Sequence, residues 1–421
     1  MRWTVLVLLF FGMFINFADK SITGLAAVPI MKEFNLSYAD WGLVGSSYYW
    51  LYPVTGIFGA AWADRVGAKK VLGFLMLTWA VLQIGVLAIA GLPLLLLYRF
   101  LLGAFEGPFS PIAYNHANTW FPPKLRGLAN SVVVSGATLG AMVAAPILVA
   151  LIHMFGWRVA FAVLGLASIV WFVAIQFTRD VPRADELEEE EKPKVKKLEK
   201  LDLKAFMLML SKPSALFTTL AYFSTYLLVV WFAVWLPVYL VKVVNMSSME
   251  MGYAVSGIGL VSVGVYIGVS VLSDRMFKKN KDWKTSRVYV VGYAMIIGAV
   301  LLASTALVTN AVWVIIAMCL AKGLTYAILT IGPTIMIQLL PDRGNLMTSI
   351  LTSSGNLAGI VGPLITGYIV AAGGENSAAG FDWSILFMAG LIVLFGVLFT
   401  AFVRPQQKID FAPEQQAAIG K

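Results

Sequence analysis

Long apolar stretches recur along the whole chain and are separated by short polar segments. Twelve of them reach the roughly 20 mostly apolar residues that a helix needs to cross the hydrocarbon core of a bilayer. Membrane β-barrels require strands in which apolar and polar residues alternate, and the sequence lacks such segments. The pattern therefore predicts an all-α polytopic membrane protein with spans at residues 3–28, 40–64, 70–91, 93–119, 125–153, 156–178, 212–242, 249–274, 286–308, 311–340, 346–371 and 383–403.

Composition agrees with a membrane protein and excludes several other classes. Of the 421 residues, 59% are hydrophobic and 13% are charged, whereas an ordinary soluble domain carries roughly 25% charged residues. One cysteine and two histidines exclude a disulfide framework and leave no obvious set of metal ligands. The net charge of +9 does not indicate a nucleic-acid partner, because most lysines and arginines lie in short loops between apolar stretches. The lipid bilayer is the expected surrounding.

The placement of lysine and arginine predicts the orientation of the chain. If the N-terminus is cytoplasmic, the outer loops hold only Lys32, Arg158 and Lys242. The inner loops and the C-terminal segment then hold Arg65, Lys69, Lys70, Lys124, Arg126, Arg275, Lys278, Lys279, Lys281, Lys284, Arg287, Arg343 and Arg404. Positive residues collect on the cytoplasmic side of membrane proteins. We therefore expect a multi-pass protein of the inner or plasma membrane with both termini in the cytoplasm.

One long polar segment, residues 179–205, divides the spans into two groups of six. It contains a run of glutamates followed by several lysines, and the two blocks nearly cancel in charge. The segment is interpreted as a solvated cytoplasmic linker. It would join an N-terminal six-helix bundle at residues 1–178 to a C-terminal six-helix bundle at residues 206–405, and residues 406–421 would form a cytoplasmic tail.

The two groups of spans resemble each other in sequence. The second and eighth spans both end in an Asp-Arg pair, and in both halves an Arg-Gly pair stands 20 residues before a proline. Glycines four apart, Gly136 with Gly140 and Gly355 with Gly359, are expected to let two helices approach closely. The repeat predicts two pseudo-symmetric bundles that move about a central site. The charged residues of the repeated pairs are interpreted as cytoplasmic gate contacts: Asp64, Arg65, Arg126, Asp274, Arg275 and Arg343.

Five charged residues lie inside the predicted spans, where each costs at least roughly 2.5–3.5 kcal/mol by insertion scales. They are Asp19, Lys20, Arg99, Glu106 and Lys322. Arg99 and Glu106 are two helical turns apart, about 10 Å along the axis, and face the same way. With Asp19 they are expected to meet at one level, Glu106 pairing with Arg99 and Asp19 with Lys20 or Arg99. Such a cluster serves either to bind and couple an anion or only to fix helix packing.

The segment from Gly59 to Lys70 resembles the loop signature of the major facilitator superfamily. Within that superfamily the chain resembles the anion:cation symporter family, which includes bacterial sugar-acid transporters and the vertebrate organic-anion and vesicular glutamate carriers. The resemblance implies the twelve-helix fold of the superfamily and an organic anion as substrate. The matching segments cover almost the whole chain: Asn16–Lys20, Trp50–Tyr52, Arg99–Gly107, Trp120–Pro122, Arg126–Gly127, Gly156–Arg158, Trp235–Leu240 and Gly355–Gly359.

The resemblance also implies roles for the charged residues. The acids at the positions of Asp19 and Glu106 carry the coupled protons in this family, and the bases at the positions of Lys20 and Arg99 engage or gate the anion. Lys20 stands where the family usually has arginine, which keeps the charge but removes the forked geometry of a guanidinium. Ala137 stands where one family pattern has glutamine, which argues against a simple transfer of sugar-acid specificity.

Four further residues are candidates for substrate binding. Tyr52 matches a binding position of the family. Lys322, near mid-depth in the tenth span, either adds a cation to the cavity or snorkels and binds helix carbonyls. Ser353 and Asn356 in the eleventh span either recognise substrate hydroxyls or form interhelical hydrogen bonds.

These observations predict a secondary active transporter that carries an organic carboxylate, such as a sugar acid, together with protons by alternating access. The sequence has no Walker phosphate-binding loop, so an ion gradient rather than ATP is expected to drive transport. Protons are the expected coupling ion, with no other cofactor, and Na⁺ is less favoured. The alternatives are a drug or metabolite exporter or antiporter of the same superfamily, and a membrane receptor or enzyme. No nucleophile with a base and oxyanion donors is legible, so an enzyme is not expected. A monomer is expected, and the choice among carboxylates stays open.

Overall fold

The computed structural model describes residues 1–182, 210–308, 310–374 and 376–406. Most of the predicted linker and nearly all of the predicted tail lie outside these residues. The described residues form helices joined by turns and contain no strand. The predicted all-α fold is therefore confirmed.

The helices are numbered here in chain order. The first half of the chain contains α1 Arg2–Leu25, α2 Ala27–Glu33, α3 Tyr38–Ser47, α4 Tyr52–Val66, α5 Ala68–Gly85, α6 Leu92–Glu106, α7 Phe109–Trp120, α8 Pro123–Phe155 and α9 Trp157–Gln176. The second half contains α10 Pro213–Val234, α11 Leu236–Lys242, α12 Ser248–Asn280, α13 Val290–Ser304, α14 Ala311–Thr325, α15 Ala327–Leu339, α16 Gly344–Ala372 and α17 Ser377–Phe402. Short 3₁₀ helices lie at Val86–Ala88 and Pro341–Arg343, and a π-helix at Lys284–Tyr289.

Eleven helical stretches among the described residues are long and apolar enough to cross a membrane. They correspond to eleven of the twelve predicted spans. The remaining span, predicted at 40–64, is divided into α3 and α4, and neither part reaches 18 residues. Pro53 stands in the first turn of α4, where its missing N–H is tolerated at a helix start but not inside a helix. The chain therefore turns at residues 48–51 instead of continuing as one helix.

Similar breaks divide other predicted spans. A proline lies at or near the start of the second helix where α1 gives way to α2, α6 to α7, and α10 to α11: Pro29, Pro108 and Pro237. A proline inside a continuous helix removes one i→i−4 hydrogen bond and clashes with the preceding turn. The breaks bring turn residues and backbone carbonyls into the middle of spans, where the candidate site is built.

The described residues form two compact units that do not follow the two halves of the chain. As far as its residues are described, the first unit comprises Met1–Glu189, Val230–Gly259 and Gly359–Phe381. The second unit comprises Glu190–Val229, Leu260–Ala358 and Asp382–Lys421. Two segments from the second half of the chain thus pack with the first half. The limits of the two predicted bundles stay a prediction.

Close contact between α1 and α8 holds the first unit together. Gly136 and Gly140 of α8 face the carbonyl oxygens of Phe10 and Phe14 on α1, and a Cβ added at either glycine would lie 2.2 Å from that oxygen. Only glycine permits this approach, so the expected close packing is confirmed for this pair. The corresponding glycines of α16 face aromatic rings instead of a helix backbone.

The Gly-Trp-Arg segment that opens α9 fixes one end of the first unit. Trp157 Nε1 donates to Glu33 at 2.7 Å, and the guanidinium of Arg158 lies 2.7 Å from the same carboxylate. Arg158 also donates to the carbonyl of Ile89 at 2.7 Å. Burial raises the pKa of Glu33, but the hydrogen bonds from both residues and the charge of Arg158 hold that pKa below its ordinary value. This clamp ties the ends of α2 and α9 to the turn after α5.

The second unit has an apolar core of its own. It forms where α10, α15 and α16 meet, and a tyrosine and two methionines fill much of it. Its buried members are Ala215, Tyr222, Met336, Leu339, Met347, Ile350 and Leu351. Pro333 lies inside α15, and methionine adapts readily to irregular space.

Candidate functional site

The turn between α3 and α4 packs directly on α6. A Cβ added at Gly103 would lie 1.8 Å from the carbonyl oxygen of Tyr48, and one added at Gly107 would lie 2.2 Å from that of Tyr52. The two glycines are four apart and therefore share one face of the helix. Because they lack side chains, the turn approaches α6 closely enough for Tyr48 and Tyr52 to reach the charged residues of α1 and α6.

An acid, a base and two tyrosines meet beside this turn. Glu106 is fully buried and its Oε2 accepts a short hydrogen bond from the hydroxyl of Tyr48. The ammonium of Lys20 lies 4.0 Å from the same Oε2 and donates to the hydroxyl of Tyr52 at 3.2 Å. The ammonium also lies 4.3 Å from the ring centre of Phe17, where the negative face of the ring attracts a cation.

Arg99 occupies a different position from the pair formed by Lys20 and Glu106. Its side chain is buried, and its guanidinium donates to Thr23 Oγ1 at 3.0 Å and, at 3.5 Å, to the carbonyl of Val44. The guanidinium carbon lies 4.6 Å from the ring centre of Tyr48. Among the described residues, no carboxylate lies within 4.0 Å of it. Arg99 is thus a buried cation held by neutral groups.

A small cavity of about 30 Å³ lies beside this guanidinium and is called here the Arg99 pocket. Two of its lining side chains are cationic, and none of those described is acidic. Trp41 Nε1 donates to the carbonyl of Val234 at 3.3 Å, and the carbonyl of Ala233 lies so close to Gly24 that an added Cβ would be 2.1 Å away. The lining residues are Lys20, Thr23, Gly24, Trp41, Gly45, Tyr48, Tyr49, Arg99, Ala233 and Val234. Such a lining suits a small anion with an apolar or hydroxylated body.

A cluster of polar side chains is buried outside the pocket. Asp19 is fully buried, and neither of its oxygens has a hydrogen-bond partner among the described residues. Both polar side-chain atoms of Asn16, Nε2 of Gln83 and Oε1 of Glu106 are likewise without partners. The other end of the Gln83 amide accepts from Tyr98 at 3.0 Å. Buried polar groups almost always have hydrogen-bond partners. This cluster is therefore suited to taking up protons or water.

The pairing of the charged residues differs from the sequence-based expectation. The expected pairs of Arg99 with Glu106 and of Asp19 with Lys20 or Arg99 are wrong for the described residues, where Lys20 is the cation beside Glu106. The reason is the turn at residues 48–51, which inserts Tyr48 between the guanidinium and the carboxylate. Asp19, Lys20, Arg99 and Glu106 do lie in one unit.

The other residues predicted to bind substrate lie in different environments. Tyr52 contacts Lys20 as described. Lys322 lies on α14 in the second unit, with its ammonium 5.5 Å from the ring centre of Tyr326. On α16, Asn356 is half-buried and Ser353 is exposed. A role in binding substrate stays a prediction for these residues.

The predicted gate residues lie near the ends of helices, except that Asp274 and Arg275 lie more than one turn before the end of α12. Asp274 forms an ion pair at 2.5 Å with Arg287, which was not predicted as its partner. Arg126 donates to two carbonyls at the end of α7 at 3.1 Å each, and Arg343 ends a short 3₁₀ helix. Three others are exposed, namely Asp64, Arg65 and Arg275. Their role as a gate stays a prediction.

Three residues of the site were missed in the sequence. Polar residues of α1 recur at helical spacing at positions 16, 19, 20 and 23 within an otherwise apolar span, which was a readable signal for Asn16 and Thr23. Gln83 was readable as a lone amide in the third span. Tyr48 was considered as a residue that binds substrate hydroxyls, but its contact with Glu106 was not expected, because that contact depends on the break between α3 and α4.

Comparisons with known proteins agree with this architecture. Residues 9–343 match the Major Facilitator Superfamily. The Hexuronate transporter of Bacillus subtilis (strain 168) is 30% identical over 418 residues, covering 95% of this chain and 94% of that protein. The Probable galactarate/D-glucarate transporter GudP of the same organism is 24% identical over 448 residues, covering 99% and 94%.

A solved structure supports the fold alone. It is that of a bacterial homologue to the human lysosomal transporter Spinster in an inward-facing and unoccupied conformation, with a TM-score of 0.83 and 21% sequence identity over 98% of this chain and 99% of that chain. The relatives and the matched family are transporters rather than enzymes. The chain therefore belongs to the major facilitator superfamily, as a multi-pass membrane transporter similar to sugar-acid carriers of the anion:cation symporter type.

Proposed function

We propose that this protein carries a sugar-acid carboxylate across the membrane together with protons, by alternating access. The observation that carries the proposal is the buried guanidinium of Arg99, which lines the pocket without an acidic partner among the described residues. A buried cation needs an anion to offset the loss of water. Two similar proteins are named as hexuronate and galactarate/D-glucarate transporters, which supports this class of anion.

The surroundings of Arg99 favour a carboxylate. A guanidinium offers five N–H donors in a planar fork and accepts no hydrogen bond. Thr23 and Val44 each accept from one of its nitrogens, and the ring of Tyr48 lies against the group. A fork held in this way presents its remaining donors in a fixed direction, which suits two-pronged binding of a carboxylate.

Asp19 and Glu106 are the proposed proton carriers. Both side chains are fully buried, where an ionised carboxylate is costly, and taking up a proton removes that cost. The membrane potential gives a second reason for coupling the anion to protons. A monoanion that moves into a negative interior is opposed by about 2.3 kcal/mol per 100 mV. One accompanying proton makes that step neutral, and a second makes it favourable.

Lys20 connects the proton to the anion in this proposal. Its ammonium faces Glu106 and also lines the Arg99 pocket. When Glu106 takes up a proton, its attraction for the ammonium is lost, and Lys20 is released toward the substrate. Protonation and anion binding then favour each other, as reciprocal linkage requires.

Three parts of the proposal concern residues and properties outside the pocket. Lys322, Ser353 and Asn356 stay proposed substrate-binding residues, as the sequence predicts. Both termini would lie in the cytoplasm, as the positions of lysine and arginine predict. The transporter would act as a monomer.

Uptake by purified protein in proteoliposomes tests the proposal. The panel contains glucuronate, galactarate, glucose and hexanoate, each with an inward proton gradient, an inward Na⁺ gradient or neither. We expect uptake of at least one sugar acid that depends on the proton gradient and is lost in Arg99→Ala. Arg99→Lys should lose most of it, because a point charge replaces a fork. Uptake of glucose alone, or of sugar acid with full activity in both variants, would overturn the proposal, and dependence on Na⁺ alone would overturn proton coupling.

A further inference from the structure

We infer that Tyr49 recognises a hydroxyl group of the substrate whose carboxylate binds Arg99, and so separates hydroxy acids from simple carboxylates. The inference rests on the proposed function and deepens it. The resemblance to known families suggested Tyr52 for substrate contact, whereas the geometry points to its neighbour one turn earlier.

Three tyrosines lie at the turn between α3 and α4, and their hydroxyl groups differ in their hydrogen-bond partners. The hydroxyl of Tyr48 donates to Glu106, and that of Tyr52 accepts from Lys20 at 3.2 Å. The hydroxyl of Tyr49 forms no hydrogen bond with any described residue, yet Tyr49 is half-buried and lines the Arg99 pocket. Tyr49 is therefore the member of the trio that lines the pocket and whose hydroxyl has no partner among the described residues.

The ring of Tyr49 is held in place by its neighbours. It meets the ring of Tyr48 edge to face, with centres 5.0 Å apart and planes at 82°. On its other side lies Gly359, where an added Cβ would be 2.5 Å from Cδ1 of the ring. The glycine leaves the ring just enough room, so the phenol is positioned rather than free to swing. A positioned donor loses less entropy on binding than a mobile one.

The chemistry of the pocket divides substrate recognition between two groups. Arg99 only donates and therefore selects the carboxylate, while a phenol both donates and accepts and therefore suits a hydroxyl. The indole N–H of Trp41 is already used on a backbone carbonyl, and Ala233 and Val234 bring no polar side chain. Thr23 also bears a hydroxyl, but that oxygen already accepts from Arg99. Tyr49 is thus the side chain best placed to distinguish a hydroxylated carbon chain from a bare one.

Removing one oxygen atom tests the inference. In Tyr49→Phe the ring and its packing remain, so the protein should fold and keep its carboxylate site. We expect the apparent affinity for the transported sugar acid to fall about 3- to 10-fold, the effect of one neutral hydrogen bond. Inhibition of counterflow by hexanoate, which has the carboxylate but no hydroxyls, should be unchanged. The variant Tyr293→Phe, at a side chain that is 55% exposed and does not line the Arg99 pocket, is the matched control and should change neither value.

The outcomes separate this inference from the proposed function. Unchanged sugar-acid affinity in Tyr49→Phe, while the wild type transports the sugar acid, would overturn the role of Tyr49 alone. An equal loss for sugar acid and hexanoate would also overturn it, because the change would then act on the carboxylate site or on folding. Wild-type protein that takes up no sugar acid would overturn both. Gly359→Ala, which forces the ring to move, should reproduce the selective loss and thereby support positioning.

Discussion

The ammonium of Lys20 lies 4.0 Å from Oε2 of Glu106, and the same oxygen accepts from the hydroxyl of Tyr48. This contact joins the first and fourth predicted spans through an acid that is fully buried and a base whose side chain is 21% exposed and lines the Arg99 pocket. The attraction exists only while Glu106 is ionised. In the proposed coupling, a proton on Glu106 would release a cation that lines the pocket.

Replacing Glu106 with glutamine should separate exchange from accumulation. Glu106→Gln mimics the protonated acid permanently and still offers an oxygen to Tyr48. Exchange of anion across the membrane needs no change of protonation and should continue, while accumulation driven by a pH gradient should fail. Counterflow and gradient-driven uptake, measured in the same vesicles, make the comparison. Full pH-driven accumulation by the variant would exclude Glu106 as a coupling residue, and loss of both activities would assign it to folding or binding.

Removing the hydroxyl that holds Arg99 should weaken anion binding. Thr23 Oγ1 accepts from the guanidinium at 3.0 Å. In Thr23→Val the shape of the side chain is kept, but the guanidinium loses one of its fixed points. We expect apparent affinity for sugar acid to fall about 3- to 10-fold, measured by counterflow. Thr23→Ser keeps the hydroxyl and should stay close to the wild type, so equal losses in both variants would contradict a hydrogen-bonding role.

A side chain at Gly103 should disturb the site without touching any charged residue. A methyl group there would lie 1.8 Å from the carbonyl oxygen of Tyr48, so the turn that carries the tyrosines must shift. Overpacking of this kind typically costs about 1–3 kcal/mol. We expect Gly103→Ala to lower the thermal unfolding temperature of the purified protein and to weaken binding. Gly257→Ala, where nothing lies within 4 Å of the added group, is the control and should do neither.

The architecture could be predicted because the bilayer imposes it. Apolar stretches of spanning length locate the helices, and eleven of the twelve match helical stretches of spanning length. The division of the second span could not be located in advance, because a proline inside an apolar stretch is compatible with either a kinked helix or two helices. In the structure the span forms two helices, because the missing side chains of Gly103 and Gly107 allow the turn between the two helices to pack on α6.

The charged residues could also be predicted, but their partners could not. Each charge inside a span is costly enough to indicate a function. Which acid meets which base depends on the rotation of one helix against another, and neighbouring residues such as Asp19 and Lys20 point about 100° apart around α1. Sequence spacing does not fix that rotation. The structure turns Lys20 toward Glu106 and leaves Asp19 among unpaired amides.

The orientation of the chain is testable with single cysteines. The one native cysteine, Cys319, is buried and is first replaced by alanine. Lys242 and Lys281 are both exposed, and the predicted topology puts them on opposite sides of the membrane. A membrane-impermeant maleimide added to intact cells should label Lys242→Cys, whereas Lys281→Cys should react only after permeabilisation. The reverse pattern would invert the topology.

Asp19 offers the sharpest test of a proton carrier, because its replacement should leave the stability of the protein unchanged while proton coupling is lost. Its two oxygens are buried from solvent and form no hydrogen bond of normal geometry with a described residue. If this acid is neutral in the described state, asparagine resembles it closely and removes nothing that holds the fold. We expect Asp19→Asn to unfold within about 2 °C of the wild type, to keep counterflow of the sugar acid, and to lose accumulation driven by a pH gradient. Glu106→Gln should be less stable than Asp19→Asn, because it breaks the contact of Glu106 with Lys20. A large fall in the unfolding temperature of Asp19→Asn, with counterflow also lost, would instead mean that Asp19 is an ionised structural partner and carries no proton.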